Sequence, residues 1–138
     1  CAGTYGVGGW ATAGSSAQFR GGSGGGGTCS YDGSADWSCT SDRNAKENFQ
    51  PVDAVSILES VAKLPITTWN MKGDANQTPH MGPVAQDFYS TFGLGNNDIT
   101  INRADAQGVT LAAIQGLYQL VQEQQVKIEA LEAQLANR

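Results

Sequence analysis

The C-terminal part of the chain repeats apolar residues in alternating steps of three and four, which is typical of a helix that buries one face. These positions alternate between the a and d sites of a heptad and predict a coiled-coil helix over residues 109–138. A single helix of about three heptads is not stable alone in water, so the pattern predicts an oligomer. The repeat consists of Ile114, Leu117, Val121, Gln124, Ile128, Leu131 and Leu135, with Gln124 as its one polar member.

Residues 51–108 carry a mixed pattern of helical and alternating segments. Apolar residues at helical spacing predict a helix over residues 51–63, with Pro51 in the first turn. Alternation predicts strands at 66–71 and 81–84, and a helix over 85–92 stops at Gly93. A short strand at 99–101 and a turn at 105–108 are predicted before the long helix.

The first 40 residues contain twelve of the 18 glycines, so they bury little side-chain surface. Their composition is typical of a flexible linker or of the thin β-structured end of a fibre. Trp10, Phe19 and Trp37 argue against a pure linker. We expect a glycine-rich β stem whose short strands pack only against partner chains. The predicted class is therefore α+β: a small mixed domain with short strands and helices, ending in a long helix.

A net charge of −5 disfavours nucleic acid and anionic membranes as partners. No apolar run approaches 18 residues, so no membrane span is predicted. The start, Cys1-Ala2-Gly3, does not resemble a signal peptide, and we expect the chain to be part of a longer protein.

All three cysteines, Cys1, Cys29 and Cys39, precede Ser41. They are too dispersed for a metal site, and the sole histidine, His80, is far along the chain, so neither a metal nor a cofactor is predicted. Two interpretations of Cys29 and Cys39 stay open. They form a disulfide across a hairpin that turns at Asp32-Gly33, which implies an oxidising setting, or they are reduced small hydrophobic residues.

Ser41 stands five residues before Lys46, at the point where the composition changes. A serine hydroxyl can attack a peptide carbonyl while a neutral lysine amine removes its proton. The spacing alone is common, and each residue has a simpler interpretation: Ser41 as a helix N-cap and Lys46 as a solvated surface lysine.

The wider pattern is more specific. The segments Ser41-Asp42-Arg43-Asn44-Ala45-Lys46-Glu47-Asn48 and His80-Met81-Gly82-Pro83-Val84-Ala85-Gln86-Asp87 come in that order before the heptad helix. Together they resemble the intramolecular chaperone domain of phage endosialidases and tail fibres, the S74 peptidase family. The resemblance covers about residues 41–138, and it leaves residues 1–40 as the end of a fibre or passenger protein.

The resemblance implies a homotrimer that folds its upstream passenger and then cuts itself between Thr40 and Ser41. Ser41 is then the nucleophile and Lys46 the base, which must be neutral and is therefore expected in an apolar pocket. Asn48 supports the Lys46 loop. His80 and Gly82 match the family's His-x-Gly element, where His80 or a neighbouring amide can stabilise the oxyanion; a purely structural histidine is the alternative.

Three functions are open on the sequence alone. The first is the self-releasing chaperone, placed by the resemblance in a phage tail fibre or on the surface of a bacterium that carries phage-like genes. The second is a permanent trimeric cap without cleavage. The third is an adhesin tip with an aromatic binding groove. One departure concerns the first: Thr40 is β-branched and follows Cys39, and we expect crowding there to hinder cleavage.

Overall fold

The computed structural model describes residues 17–20, 28–31 and 37–137, and the chain divides into two compact units, Cys1–Gln50 and Pro51–Arg138. As predicted, the class is α+β, with short antiparallel strands in two separate sheets and a long C-terminal helix. The predicted division between residues 40 and 41 falls within the first unit. As a boundary between passenger and chaperone, that division stays a prediction.

The first unit contains a three-stranded antiparallel sheet in the order β1–β2–β3. The strands are β1, Ala17–Arg20, β2, Thr28–Tyr31, and β3, Ser38–Cys39. They pair within one chain, which corrects the expectation that strands here would pack only against partner chains. The predicted turn at Asp32-Gly33, like Cys1 and Trp10, lies outside the described residues.

The second unit begins with helix α1, Ala54–Lys63, followed by a two-stranded antiparallel sheet. Asp53 caps α1 by accepting hydrogen bonds from the N–H groups of Val55 and Ser56. This cap starts the helix after Pro51, which was predicted to lie in the first turn. The sheet pairs β4, Thr67–Trp69, with β5, His80–Gly82, where the predicted strands were longer.

Helix α2, Ala85–Phe92, ends as predicted at Gly93, whose φ of 63° is readily adopted by glycine. Helix α3, Arg103–Ala136, begins earlier than the predicted residue 109, because the side chain of Asn102 caps it. The turn predicted at 105–108 is therefore wrong. Within the described part of the chain, no helix has the length and apolarity that crossing a membrane requires.

The core of the second unit lies where α1 packs against α3. Ala54 of α1 and Val109, Ala113 and Gly116 of α3 are buried. A Cβ added at Gly116 would overlap the backbone carbonyl of Ala54. Glycine therefore lets the two helix backbones come into direct contact at this point.

Candidate active site

Ser41 and Lys46 flank a single turn of 3-10 helix, Arg43–Ala45. The side chain of Asp42 caps this turn by accepting hydrogen bonds from the backbone N–H of Asn44 and from its side-chain amide, at 3.0 and 3.1 Å. The N–H of Lys46 closes the turn by donating to the carbonyl of Arg43. Ser41 and Lys46 thus lie on either side of one short turn.

The turn brings the Lys46 ammonium into hydrogen-bond contact with the Ser41 hydroxyl. Lys46 Nζ donates to Ser41 Oγ at 2.7 Å. The simpler interpretation of Ser41 as an N-cap does not describe the structure, because Asp42 takes that position. If Lys46 loses its proton, Nζ lies within hydrogen-bond distance of Ser41 Oγ and can accept the hydroxyl hydrogen, as a general base must.

The residues around the pair hold the Lys46 segment by separate contacts. The Arg43 guanidinium lies 5.4 Å from the centre of the Phe49 ring, within cation–π range. Asp42 thus contacts Asn44, and Arg43 contacts Phe49. Asn48 adopts φ 55°, a left-handed conformation that asparagine tolerates better than most residues. It turns the chain just after Lys46.

Ser41 and Lys46 are both exposed, as is the whole segment 37–50. The apolar pocket expected around Lys46 is therefore not formed by the described residues of its own unit. Burial favours the neutral form of a lysine, so the pair needs a further covering surface before it can act as nucleophile and base.

The residue on the other side of the predicted cleavage site, Thr40, is bound to β2. Its N–H donates to the carbonyl of Thr28 at 2.8 Å, and its hydroxyl donates to the same oxygen at 3.1 Å. The N–H of Thr28 donates back to the Thr40 hydroxyl at 3.2 Å. One residue away, Cys29 and Cys39 form a disulfide with an S–S distance of 2.06 Å.

Thr28 did not emerge from the sequence as a site residue, although a signal was present. An antiparallel register that pairs Cys29 with Cys39 also places Thr28 opposite Thr40. The strand register that a Cys29–Cys39 disulfide implies, continued by one pair of residues, therefore brings Thr28 to the predicted cleavage site.

His80 and Gly82 lie on β5, in the second unit. The His80 ring packs against Trp69 on β4 at a centroid distance of 4.9 Å, which supplies a structural role for it. A Cβ added at Gly82 would meet no described atom within 4 Å. Within the described chain, no neighbouring backbone comes close enough to Gly82 to require a glycine there. A role for either residue at the oxyanion stays a prediction.

The heptad positions of α3 form an exposed apolar stripe. Ile128 is 49% exposed and Leu131 58%, and Gln124, about one turn before Ile128, is exposed as well. Ile114 and Leu117 each follow a buried position of the α1-facing side, Ala113 and Gly116, by one residue. The stripe therefore lies about 100° around the helix from the surface that α1 covers.

Among the described residues, no group of three or more His, Cys, Asp or Glu side chains could hold a metal ion. The pKa of Asp74 is lowered, because its carboxylate accepts hydrogen bonds from the N–H groups of Asn76 and Thr78 and from the Thr78 hydroxyl. Asp74 organises the loop between β4 and β5.

Comparison with known proteins adds one match. No curated protein and no solved structure matches the chain. Residues 41–93 match the model of the family Peptidase S74, described as chaperone of endosialidase. The matched segment begins at Ser41, contains Lys46, His80 and Gly82, and ends at Gly93, before α3. The resemblance seen in the sequence motifs is thereby confirmed for residues 41–93.

Proposed function

We propose that the chain is a C-terminal intramolecular chaperone that forms a parallel homotrimer, folds the fibre or surface protein upstream of it, and releases itself by cutting the Thr40–Ser41 bond. The observation that carries this proposal is the 2.7 Å hydrogen bond between Lys46 Nζ and Ser41 Oγ. Its partners are then two further copies of the chain and its own passenger, in a phage tail fibre or on a bacterial surface.

The reacting groups are these two side chains, the Thr40–Ser41 peptide bond and water. Neutral Lys46 takes the proton of the Ser41 hydroxyl while Oγ bonds to the carbonyl carbon of Thr40. The Thr40–Ser41 carbon–nitrogen bond then breaks, and Lys46 returns the proton to the leaving amine. The product is an ester between Thr40 and Ser41 Oγ. Water hydrolyses it to a Thr40 carboxylate and a free Ser41 hydroxyl.

Assembly supplies what the single chain lacks. The exposed heptad stripe of α3 is apolar except at Gln124, and burying it between three parallel helices removes it from water. Gln124 favours three strands, because three amides can hydrogen-bond to one another around an axis. Partner surfaces that cover Lys46 would favour its neutral form, so cleavage would follow correct assembly.

The dyad is tested by four single variants of the full chain. Ser41→Ala and Lys46→Ala should each reduce cleavage at Thr40–Ser41 by about a thousandfold or more, because nucleophile and base act as a unit. Ser38→Ala and Lys63→Ala, which change an exposed serine and an exposed lysine nearby in sequence, should cleave like the parent. Intact-mass spectrometry reads the fragments, and light scattering should give a trimer mass for every variant.

The alternative is a permanent trimeric cap that never cuts. The observation in its favour is the exposure of both Ser41 and Lys46, which leaves the ammonium form of lysine well solvated. A parent chain that assembles as a trimer and keeps its full mass over days would establish the cap and exclude self-release.

A further inference from the structure

Thr40 makes an unusually complete set of hydrogen bonds for an exposed residue. Its backbone N–H and its hydroxyl both donate to the carbonyl of Thr28, at 2.8 and 3.1 Å. The same hydroxyl accepts a hydrogen bond from the N–H of Thr28 at 3.2 Å. The hydroxyl of Thr40 thus binds both backbone groups of Thr28, which a residue without a hydroxyl cannot do.

A covalent tie lies directly beside this pair. The Cys29–Cys39 disulfide joins the residue after Thr28 to the residue before Thr40. Together, Thr28, Thr40 and this disulfide form what we term the acyl-side anchor. It fixes the end of β3 on β2 immediately before the scissile bond.

The two sides of the scissile bond are held by different means. The anchor holds the acyl residue, Thr40, and the Lys46 ammonium holds the attacking oxygen of Ser41. Attack requires the Ser41 oxygen to approach the Thr40 carbonyl carbon along a restricted path, and the rate of such steps depends strongly on how far both partners are preorganised.

Resting on the proposed function, we propose that Thr40 is a positioning residue for the self-cleavage: its hydroxyl, bound to the backbone of Thr28 and supported by the Cys29–Cys39 disulfide, orients the carbonyl that Ser41 attacks. This reverses the sequence-based expectation that a β-branched residue at this position would hinder cleavage. It also gives the site a specificity: the residue before the cut must carry a hydroxyl that reaches the paired strand.

The test compares cleavage rates of full-length chains made by pulse-labelled cell-free synthesis under oxidising conditions. Thr40→Val keeps the shape and the β-branch but removes the hydroxyl, and should slow cleavage about tenfold. Thr40→Ser keeps the hydroxyl and should cleave within about twofold of the parent. Thr68→Val is the matched control, because it makes the same change at an exposed strand residue of β4, outside the anchor; its rate should also stay within about twofold.

The double variant Cys29→Ser/Cys39→Ser tests the covalent part of the anchor, and should likewise slow cleavage about tenfold. Trimer mass should stay unchanged in all four chains.

The outcomes separate this inference from the function on which it rests. A parent chain that never cleaves refutes the proposed function and the anchor with it. A parent that cleaves, with Thr40→Val equally fast or faster, refutes the anchor alone. Thr40→Ser as slow as Thr40→Val would show that bulk rather than the hydroxyl matters, which also refutes it. An unchanged rate in the double cysteine variant removes the disulfide from the anchor.

Discussion

The two compact units of this chain are stabilised in different ways. Among the described residues, every buried one lies in the second unit, where α1 and α3 meet and where Phe88 of α2 packs against Phe92. The described side chains of the first unit are half-buried or exposed, and this unit is held by strand pairing, by a disulfide and by the capped turn before Lys46. The candidate dyad thus lies in the unit whose described residues form no buried core.

This difference separates geometry from environment. A short turn is enough to bring Ser41 and Lys46 together, so the geometry of the dyad needs no hydrophobic core. The low-dielectric surroundings that favour a neutral lysine do require buried apolar surface around it. On our account, partner chains provide these surroundings once the stripe on α3 is buried. Substitutions in the second unit should therefore affect chemistry only through assembly and stability, whereas substitutions in the first should affect it directly.

The largest effect is expected at the centre of the exposed stripe. Ile128→Asp would place three unpaired carboxylates near one axis, at a cost of about 3–5 kcal/mol, and should dissociate the trimer. Because the covering of Lys46 then disappears, self-cleavage should stop as well. Light scattering and intact mass measure the two effects.

The control for this change is Ala130→Asp, two residues further along α3 at a heptad c position. It introduces the same charge on an exposed side of the helix and should leave the trimer intact. Equal masses for the two variants would contradict the assignment of the stripe as an interface.

The next effect concerns the contact between α1 and α3. Gly116→Ala places a methyl group against the backbone carbonyl of Ala54, which can be relieved only if the helices move apart. We expect a loss of about 3 kcal/mol in the free energy of unfolding.

The matched control is Gly108→Ala on the same helix, where an added Cβ meets nothing within 4 Å. It should raise stability by about 0.5–1 kcal/mol, since alanine favours the helix. Thermal unfolding of both variants decides the point. A stable Gly116→Ala chain would show that the two backbones do not touch.

The smallest effect is expected at Asp74. Hydrogen bonds from Asn76 and Thr78 lower the pKa of its carboxyl in the folded chain. The resulting stabilisation is therefore fully present above the unfolded pKa of about 3.9 and is lost as the pH falls through the lower folded value. Asp74→Asn should remove this part of the acid dependence and slightly loosen the loop at neutral pH. Identical pH–stability curves for parent and variant would contradict this role.

Local signals predicted part of the fold well. The helix over 85–92 ends at Gly93 because glycine readily adopts the left-handed conformation there, and this signal is readable from the sequence. The strand predicted at 99–101 failed because the Asn97 side chain accepts hydrogen bonds from the N–H of Ile99 and the hydroxyl of Thr100. The Asn97 side chain thus binds the Ile99 N–H, which would otherwise donate to a neighbouring strand.

The start of α3 was placed too late for a related reason. The predicted turn rests on Gly108, yet one glycine destabilises a long helix by only about 1 kcal/mol. The Asn102 cap starts the helix before this glycine. Gly116 has a tertiary role, contact with the α1 backbone, that no local pattern shows.

The sequence pairs Ser41 with Lys46 but does not show which contacts support them, and the chemistry of the pair stays a prediction. Ser41 and Lys46 follow from their spacing and motif, and the structure places them in contact. The Asp42 cap and the pairing of Thr40 with Thr28 depend on which backbone groups face one another, and the sequence leaves these open. Which surface covers the dyad depends on partner chains and stays a prediction.

The most direct test of the central claim is intact-mass spectrometry of the freshly assembled parent chain, with and without neutral hydroxylamine. Our account predicts two fragments, residues 1–40 and 41–138. Because the cut passes through an ester at Thr40, hydroxylamine should convert part of the first fragment to the Thr40 hydroxamate. Ser41→Ala should give neither product. A cut at another bond, or a cut at Thr40–Ser41 that persists in Ser41→Ala, would contradict the account.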